Sequence, residues 1–283
     1  MTQQLTADAV TIFENEVQHV FQPDVEDVQK RVRVKDATEA ATVQFPLMGK
    51  SITQKRQNPF TRIPVNNATH APVSCTTVDW TVADYTDIFM NNKVNYDERQ
   101  ELAKSQSLSM KRRMLQIVID TLQAASLAKT VAVNVSGAND NLSRVMLKEA
   151  MRKISLNGVP KGDRTFMAHT NGLAYLSNDQ RVGSSDWNTS QVIVKGEVGM
   201  LWGFEFLEVN DMDEGGLPIA SNIRTSYAWQ KMALGLAVNM KPRTEVWYDG
   251  DRGAHKVTSF LSANGVMVDP TGAVQVASDE TIF

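Results

Sequence analysis

The chain has 283 residues, of which 42% are hydrophobic and 22% charged, with a formal net charge of −3. Those proportions suit a core for one large domain or two closely joined ones and exclude a disordered chain. The near-neutral balance excludes a protein basic enough overall to wrap nucleic acid, and the single cysteine, Cys75, excludes an internal disulfide or a cysteine zinc cluster.

The first 20 residues are polar and acidic and lack the basic and apolar regions of a signal peptide. No run reaches the ~18 apolar residues that a membrane span needs, so the expectation is a protein made and kept in the cytoplasm. Val10, Phe13, Val17, Val20 and Phe21 recur at helical spacing until Pro23 interrupts them. With no second helix nearby, this segment reads as an arm that packs on something else, another subunit included. Residues 30–35 alternate as a strand, with Val32 and Val34 on one face and Arg31, Arg33 and Lys35 on the other. A second strand runs from Ala41 to Pro46. Residues 50–72 then carry Lys50, Lys55, Arg56 and Arg62, three prolines and few large apolar groups; a segment of that length without a core face is either functional or a projecting hairpin. Residues 29–70 hold eight Lys and Arg against two acids. They read either as a solvated hairpin or as an arm lying on an acidic neighbouring surface.

Residues 76–90 have strand character. From Asp97 to about Lys129 the chain contains neither Gly nor Pro and reads as one long helix. Acids open it, and Lys129 lies near its end, as the helix dipole favours. One apolar stripe holds Leu108, Leu115, Val118, Leu122 and Ala125. The adjacent one holds Met110, Met114, Ile117, Ala124 and Ala128, and Lys111, Arg112 and Arg113 lie in the polar sector. At 1.5 Å per residue it would measure ~45–50 Å, about the whole diameter of a compact globule of this size, so the molecule is expected to be an elongated plate built along a spine. A helix follows over Asn141–Ile154, stopped by Asn157-Gly158; then come a strand at Thr165–Ala168, a helix or turn at Thr170–Leu176 and a polar loop over 177–191. Strands are expected at Val192–Val194, Phe204–Val209 and Ile219–Ser221, and a helix or strand at Tyr227–Val238. Four β segments close the chain: Thr244–Tyr248, Lys256–Leu261, Val266–Val268 and Ala273–Val276.

Catalytic and ligand patterns are missing from the sequence. His19, His70, His169 and His255 are widely separated and lack metal-ligand spacing. Gly196, Gly199 and Gly203 lack the flanking residues of a phosphate loop and read as turns. Glu205, Glu208, Asp211, Asp213 and Glu214 do not have EF-hand spacing and read as a solvated acidic loop. Trp80, Trp202, Trp229 and Trp247 read as core, and Trp187, in the polar loop, as an interface residue. No cofactor or metal is expected.

The order of elements resembles the major capsid proteins of tailed bacteriophages. VQFPLMGKSITQ resembles the base of that family's extended loop. DERQELAKSQSLSMKRRMLQIVIDTLQAASLAK resembles its spine helix, and VPKGDRTFMAHTNGLAYLSND with EVGMLWGFEFLEVNDM its axial sheet. TSYAWQKMALGLAVN and TEVWYDGDRGAHKVTSFLSANGVMVDPTGAVQVA resemble the return to the peripheral domain. Together these cover most of residues 40–277. The resemblance implies an α+β fold of the Hong Kong 97 type. Its parts would be an N-terminal arm (1–30), a peripheral part (31–42), an extended loop (43–80), a peripheral domain with the spine helix (81–130), an axial domain (131–240) and peripheral C-terminal strands (241–283). It implies a structural protein, not an enzyme. Such a protein self-assembles as pentamers and hexamers into an icosahedral shell around double-stranded DNA, in the host cytoplasm and then the virion. Its expected partners are itself, a separate scaffolding protein, a portal, in some members a decoration protein, and packaged DNA bound without sequence preference. The expected inter-subunit contacts are Lys50, Lys55, Arg56 and Arg62 on the loop and Phe13, Val17 and Phe21 on the arm, with Arg181 and Trp187 facing a capsomer axis. The alternatives are an encapsulin-type cage of the same fold, a tail or baseplate protein, and an α/β enzyme with an unrecognised site.

Overall fold

The structure, a computed structural model, describes residues 28–37, 40–56, 58, 62–63, 65–91, 97–125, 127, 129–179, 200–211 and 214–282. A 3-10 turn (Val28–Arg31) leads into β1 (Arg33–Asp36), β2 (Thr42–Phe45), β3 (Val73–Thr76), β4 (Val78–Asp87), a one-turn helix α1 (Ile88–Asn91) and the long helix α2 (Glu98–Ala124). Then come β5 (Thr130–Val131), α3 (Arg144–Ser155), β6 (Arg164–His169), α4 (Thr170–Ser177), β7 (Met200–Leu201), β8 (Phe204–Val209), β9 (Ile219–Ala220), β10 (Ile223–Gln230), β11 (Leu234–Asp249), β12 (Ala254–Met267) and β13 (Ala273–Asp279). Among the described residues these strands form a four-stranded sheet, β1-β11-β12-β4, a seven-stranded sheet, β5-β13-β10-β6-β8-β7 with β9 on β10, and the β2-β3 pair.

Helix α2 packs on the four-stranded sheet, chiefly along β12. Met110, Met114, Ile117, Leu115, Val118 and Leu122 are buried as their spacing predicts. Gly265 on β12 makes the approach possible, because a Cβ there would lie 2.2 Å from Thr121 Oγ1. Gln106, buried on the same helix face, donates to the Val257 carbonyl at 3.1 Å and to Asp84 at 2.8 Å, and accepts from Ser259 at 3.0 Å. A buried amide satisfied on this scale fixes the position of the helix along the strands.

The helix is shorter than the sequence suggests. It ends at Ala124, with Ala125 already extended (ψ 128°), so its 27 residues measure about 40 Å. The chain must leave the helix there for β5 to pair in parallel with β13. Lys129 therefore does not serve the helix dipole; its ammonium donates to the Lys153 carbonyl at 2.5 Å, where burial and then the charge of Lys153 lower its pKa.

Other expectations also change. Residues 30–35 are not one alternating strand: Arg31 ends the 3-10 turn and is buried, its carbonyl accepting from Trp229 Nε1 at 3.0 Å, and Val34 is exposed. The ambiguous stretch 227–238 is two strands separated by a turn, Lys231–Ala233. Both faces of β10 are buried over most of its length, so no period marked it. The closing residues do not stay together either: β11 and β12 belong to the four-stranded sheet, whereas β13 pairs with β10 and β5 in the other.

Besides the link from α2 to β5, the chain crosses between the two large sheets at two adjacent places. One is the Lys231–Ala233 turn from β10 to β11; the other is the Pro270–Gly272 turn from β12 to β13. The amides of Val268 and Asp269 both donate to the Ala233 carbonyl, at 2.9 and 3.1 Å. A Cβ on Gly272 would lie 2.7 Å from the Ala233 Cβ. One core, containing Trp229, Leu234, Leu236, Met114 and Leu261, runs continuously under this junction. A second core, with Met146, Leu147, Phe166 and Val276, packs α3 and α4 on the seven-stranded sheet.

The N-terminus of α2 offers a quantitative check. Asp97 caps it, accepting from Arg99 N at 3.2 Å and from Arg99 Nε at 3.0 Å. These contacts, the Arg99 side chain first, hold its carboxyl below the ordinary carboxylate range. A depressed folded-state value means that the contribution is present above about pH 4, the unfolded value, and is lost as pH falls through the folded one. Asp97→Ala should lower the unfolding free energy at pH 7 by about 1 kcal/mol, whereas Asp97→Asn should cost much less. Urea melts should show the Asp97→Ala difference shrinking in acid.

Candidate functional site

The described acids near residue 210 are engaged one by one instead of converging on a site, and Glu205, Glu208 and Asp211 remain exposed. Glu205 pairs with Arg31 at 3.1 Å, Glu208 accepts from Thr170 Oγ1 at 2.8 Å, and Glu214 pairs with Arg113 at 3.2 Å. Asp213 lies outside the described residues. Asp211 joins a latch in which buried His169 has Asp211 at Nε2 (3.2 Å) and Glu280 at Nδ1 (3.0 Å). Arg224 holds the same two carboxylates, at 2.8 and 2.6 Å. The acids flank opposite ring nitrogens and share a guanidinium, so this geometry ties the chain's end to β8 and β10 instead of binding an ion. Among the described residues no group of three His, Cys, Asp or Glu side chains is arranged to hold a metal. Cys75 is buried, and burial raises the pKa of its thiol. Burial likewise pushes the Tyr227 hydroxyl up to about 12.

What the fold does present is the excursion between β2 and β3. The pair is in register from Thr42 opposite Thr76 to Phe45 opposite Val73. It extends through a Met48–His70 bridge, with Gly49 N donating to the Thr69 carbonyl at 2.8 Å. Its root is fixed by Phe45, which is fully buried against Gly235; a Cβ on that glycine would stand 2.8–3.0 Å from the ring. The Arg33 guanidinium lies 5.6 Å from the centre of the same ring. Beyond Gly49 the order of exposure reverses. Ile52, Ile63 and Val65 are 73%, 79% and 79% exposed. Lys50, Lys55, Arg56 and Arg62 are exposed and make no ion pair among the described residues. The loop thus brings together all four cations picked from the sequence, together with three aliphatic groups that were not picked. The other selected residues, Phe13, Val17 and Phe21 of the arm and Arg181 and Trp187 of the polar loop, lie outside the described residues.

A second surface was missed. On the side of the four-stranded sheet away from α2, Lys256 stands between Tyr85 and Trp247 on the flanking strands, 5.7 and 5.5 Å from their ring centres. Arg252 covers Tyr85 at 4.6 Å, and Phe260 stacks on Trp247 at 6.3 Å. Trp247 is 38% exposed and is therefore not core, unlike fully buried Trp229. Only strand register, a non-local property, assembles this row.

The described residues thus hold apolar and cationic side chains away from the core, on the loop and on the outer face of the four-stranded sheet. The fold is the Hong Kong 97-type capsid fold. A solved structure from Mycobacterium phage Che8 superposes with a TM-score of 0.73 at 12% identity over 98% of this chain and 99% of that one. The capsid structure of the cyanophage P-SCSP1u gives 0.75 at 15% identity over 95% and 93%. The acidic stable capsid structure of Helicobacter pylori bacteriophage KHP30 gives 0.75 at 8% identity over 99% of each chain. No curated protein sequence matches the chain. The phage capsid protein family model matches residues 5–280; the chain belongs to that family and is a structural shell protein of a bacteriophage. Neither the cage nor the enzyme reading is favoured by these likenesses.

The close seat of Phe45 predicts that Gly235→Ala pushes the ring and the loop root out of register. Inserting a methyl group where no space exists should cost about 1–3 kcal/mol. Thermal melts should show the loss, and proteolysis should cut the 46–72 segment faster than in the native chain.

Proposed function

We propose that this chain is the major capsid subunit of a tailed phage, and that copies of it form pentamers and hexamers of an icosahedral shell around double-stranded DNA. The observation that carries the reading is the loop: four exposed cations that make no ion pair among the described residues, beside three aliphatic side chains more than 70% exposed. Such a surface is unfavourable to leave in water and suited to burial against a neighbouring copy that carries acids. The four-stranded sheet with α2 would serve as the peripheral domain, and the seven-stranded sheet with α3 and α4 as the axial domain, with β13 assigned to the latter. A separate scaffolding protein and a portal would direct assembly in the host cytoplasm, a decoration protein could be added to the finished shell, and packaged DNA would be contacted without sequence preference. The Phe13, Val17 and Phe21 stripe would supply further contacts between subunits, and Arg181 and Trp187 would face a capsomer axis. No enzymatic step is required of the subunit.

Reversing two loop charges, as in Lys50→Glu with Arg56→Glu, removes two attractions and adds two repulsions at every copy of the interface. A loss of even 1.4 kcal/mol per contact is about tenfold in association, multiplied over a shell. Particle yield on a density gradient should fall by at least about that factor, while the circular dichroism and melting temperature of the subunit stay unchanged. Normal particles from the double variant would remove these residues from the interface.

A further inference from the structure

His169 ends β6 and caps α4, and two neighbours make opposite demands on its ring. As the N-cap it accepts a hydrogen bond from the Asn171 amide, 3.2 Å from Nδ1. That contact needs a lone pair on Nδ1, which only a ring without a proton there supplies. The Glu280 carboxylate also lies at Nδ1, at 3.0 Å. That contact needs an N–H on the same atom. One nitrogen cannot meet both demands at once, and its proton decides which is met.

The surroundings set what each choice costs. With protons on both nitrogens the ring is a cation between Asp211, 3.2 Å from Nε2, and Glu280. The latch then holds two positive and two negative groups, Arg224 being the other cation. His169 and Arg224 are each 5% exposed and Glu280 10%. Removing one proton leaves a single guanidinium between two carboxylates where water hardly reaches, and unbalanced charge is costly there. Asp211 is 72% exposed, so solvent relieves it; Glu280 has no such relief. The Asn171 amide also keeps the remaining proton on Nε2, where Asp211 accepts it, and leaves the Nδ1 lone pair against Glu280. The other described acids of the adjoining strands are engaged elsewhere, Glu205 with Arg31, Glu208 with Thr170 and Asp279 with Thr281.

We propose that His169 is a proton switch between two local states. In the protonated state Nδ1–H holds Glu280, and the end of the chain is clasped against β8 and β10. In the neutral state Nδ1 turns to the Asn171 amide, α4 gains its cap, and Glu280 is held by Arg224 without the ring. The clasp is therefore complete on the acid side of the His169 titration and weakened on the alkaline side. The Glu280 amide donates to the Asn222 carbonyl at 3.0 Å, and the Asn141 side chain donates to the Ile282 carbonyl at 2.8 Å. Both contacts belong to the clasped end, so loosening Glu280 opens them to solvent. The switch is independent of the shell reading and operates within a single free subunit.

Amide exchange of the full-length subunit from about pH 5 to 8 tests it, with rates expressed as protection factors so that the intrinsic pH dependence cancels. Nuclear magnetic resonance of the His169 ring in the same samples gives its titration midpoint. Across that midpoint the Glu280 and Thr281 amides should lose protection by roughly tenfold as pH rises, and the Asn171 amide should gain it. His169→Asn keeps an oxygen that can cap α4 and carries no titrating proton, so both responses should vanish. Glu280→Gln can present either an acceptor or a donor to Nδ1, so the response of the chain's end should vanish while that of Asn171 remains. This second variant decides the matter if His169→Asn does not fold. Protection of the chain's end that is flat or rises across the His169 midpoint overturns the proposal. So does an Asn171 amide that moves in the same direction as Glu280, or a response of the chain's end that survives in either folded variant.

Discussion

The constraint on which the structure depends is the close approach of its two crossing turns. Besides the link from α2 to β5, two short stretches of backbone join the large sheets, and they meet at Ala233. Its carbonyl takes two amides from the second crossing, and Gly272 leaves only the space of a missing Cβ beside it. Two residues further on is Gly235, whose bare face receives Phe45. The position of the loop root is thus set by the same few residues that set one sheet against the other. A loop of this length hanging from an adjustable joint would lose its direction. Hung from a close-packed one, it leaves the subunit along a defined path.

A protein that must join others without aggregating has to expose some adhesive surface and blunt the rest. Among the described residues β4 is one edge of the four-stranded sheet, and the outer half of β11 is unpaired on its far side. That half contains Pro242 between Lys241 and Arg243, and its pairing with β12 is interrupted by two register shifts, at Val238/Met240 and Met240/Arg243. Proline, charge and bulges are the usual defences of an edge against indiscriminate strand addition. Among the described residues the loop beyond Gly49 has no strand. Its adhesion comes from side chains, whose charge pattern selects a partner.

Much of this was legible in the sequence wherever the signal is local. The α2 stripe, the α3 and α4 spacings and the Phe204–Val209 strand could be read from periodicity, and the turn at Trp202-Gly203, where both residues have positive φ, from its glycine. The end of α2 was not legible. Residues 125–129 suit a helix well enough, and only pairing with β13, about 145 residues away, draws the chain out of it. The separation of β13 from β12 was hidden for the same reason, since a three-residue turn does not reveal that the chain changes sheets. The loop cations could be counted in advance, but their exposure is a property of three dimensions, as are the exposure of Ile52, Ile63 and Val65 and the row of Tyr85, Lys256 and Trp247 across three strands.

Amide hydrogen exchange of the loop in free subunits and in assembled particles tests the central claim most directly. If the loop is covered by a sister molecule, amides of residues 50–56 and 65–69 exchange rapidly in the free subunit and become strongly protected in the particle, by more than the amides of α2. Equal, rapid exchange in both states would mean that the loop stays in solvent, and the account of how these subunits hold one another would fail.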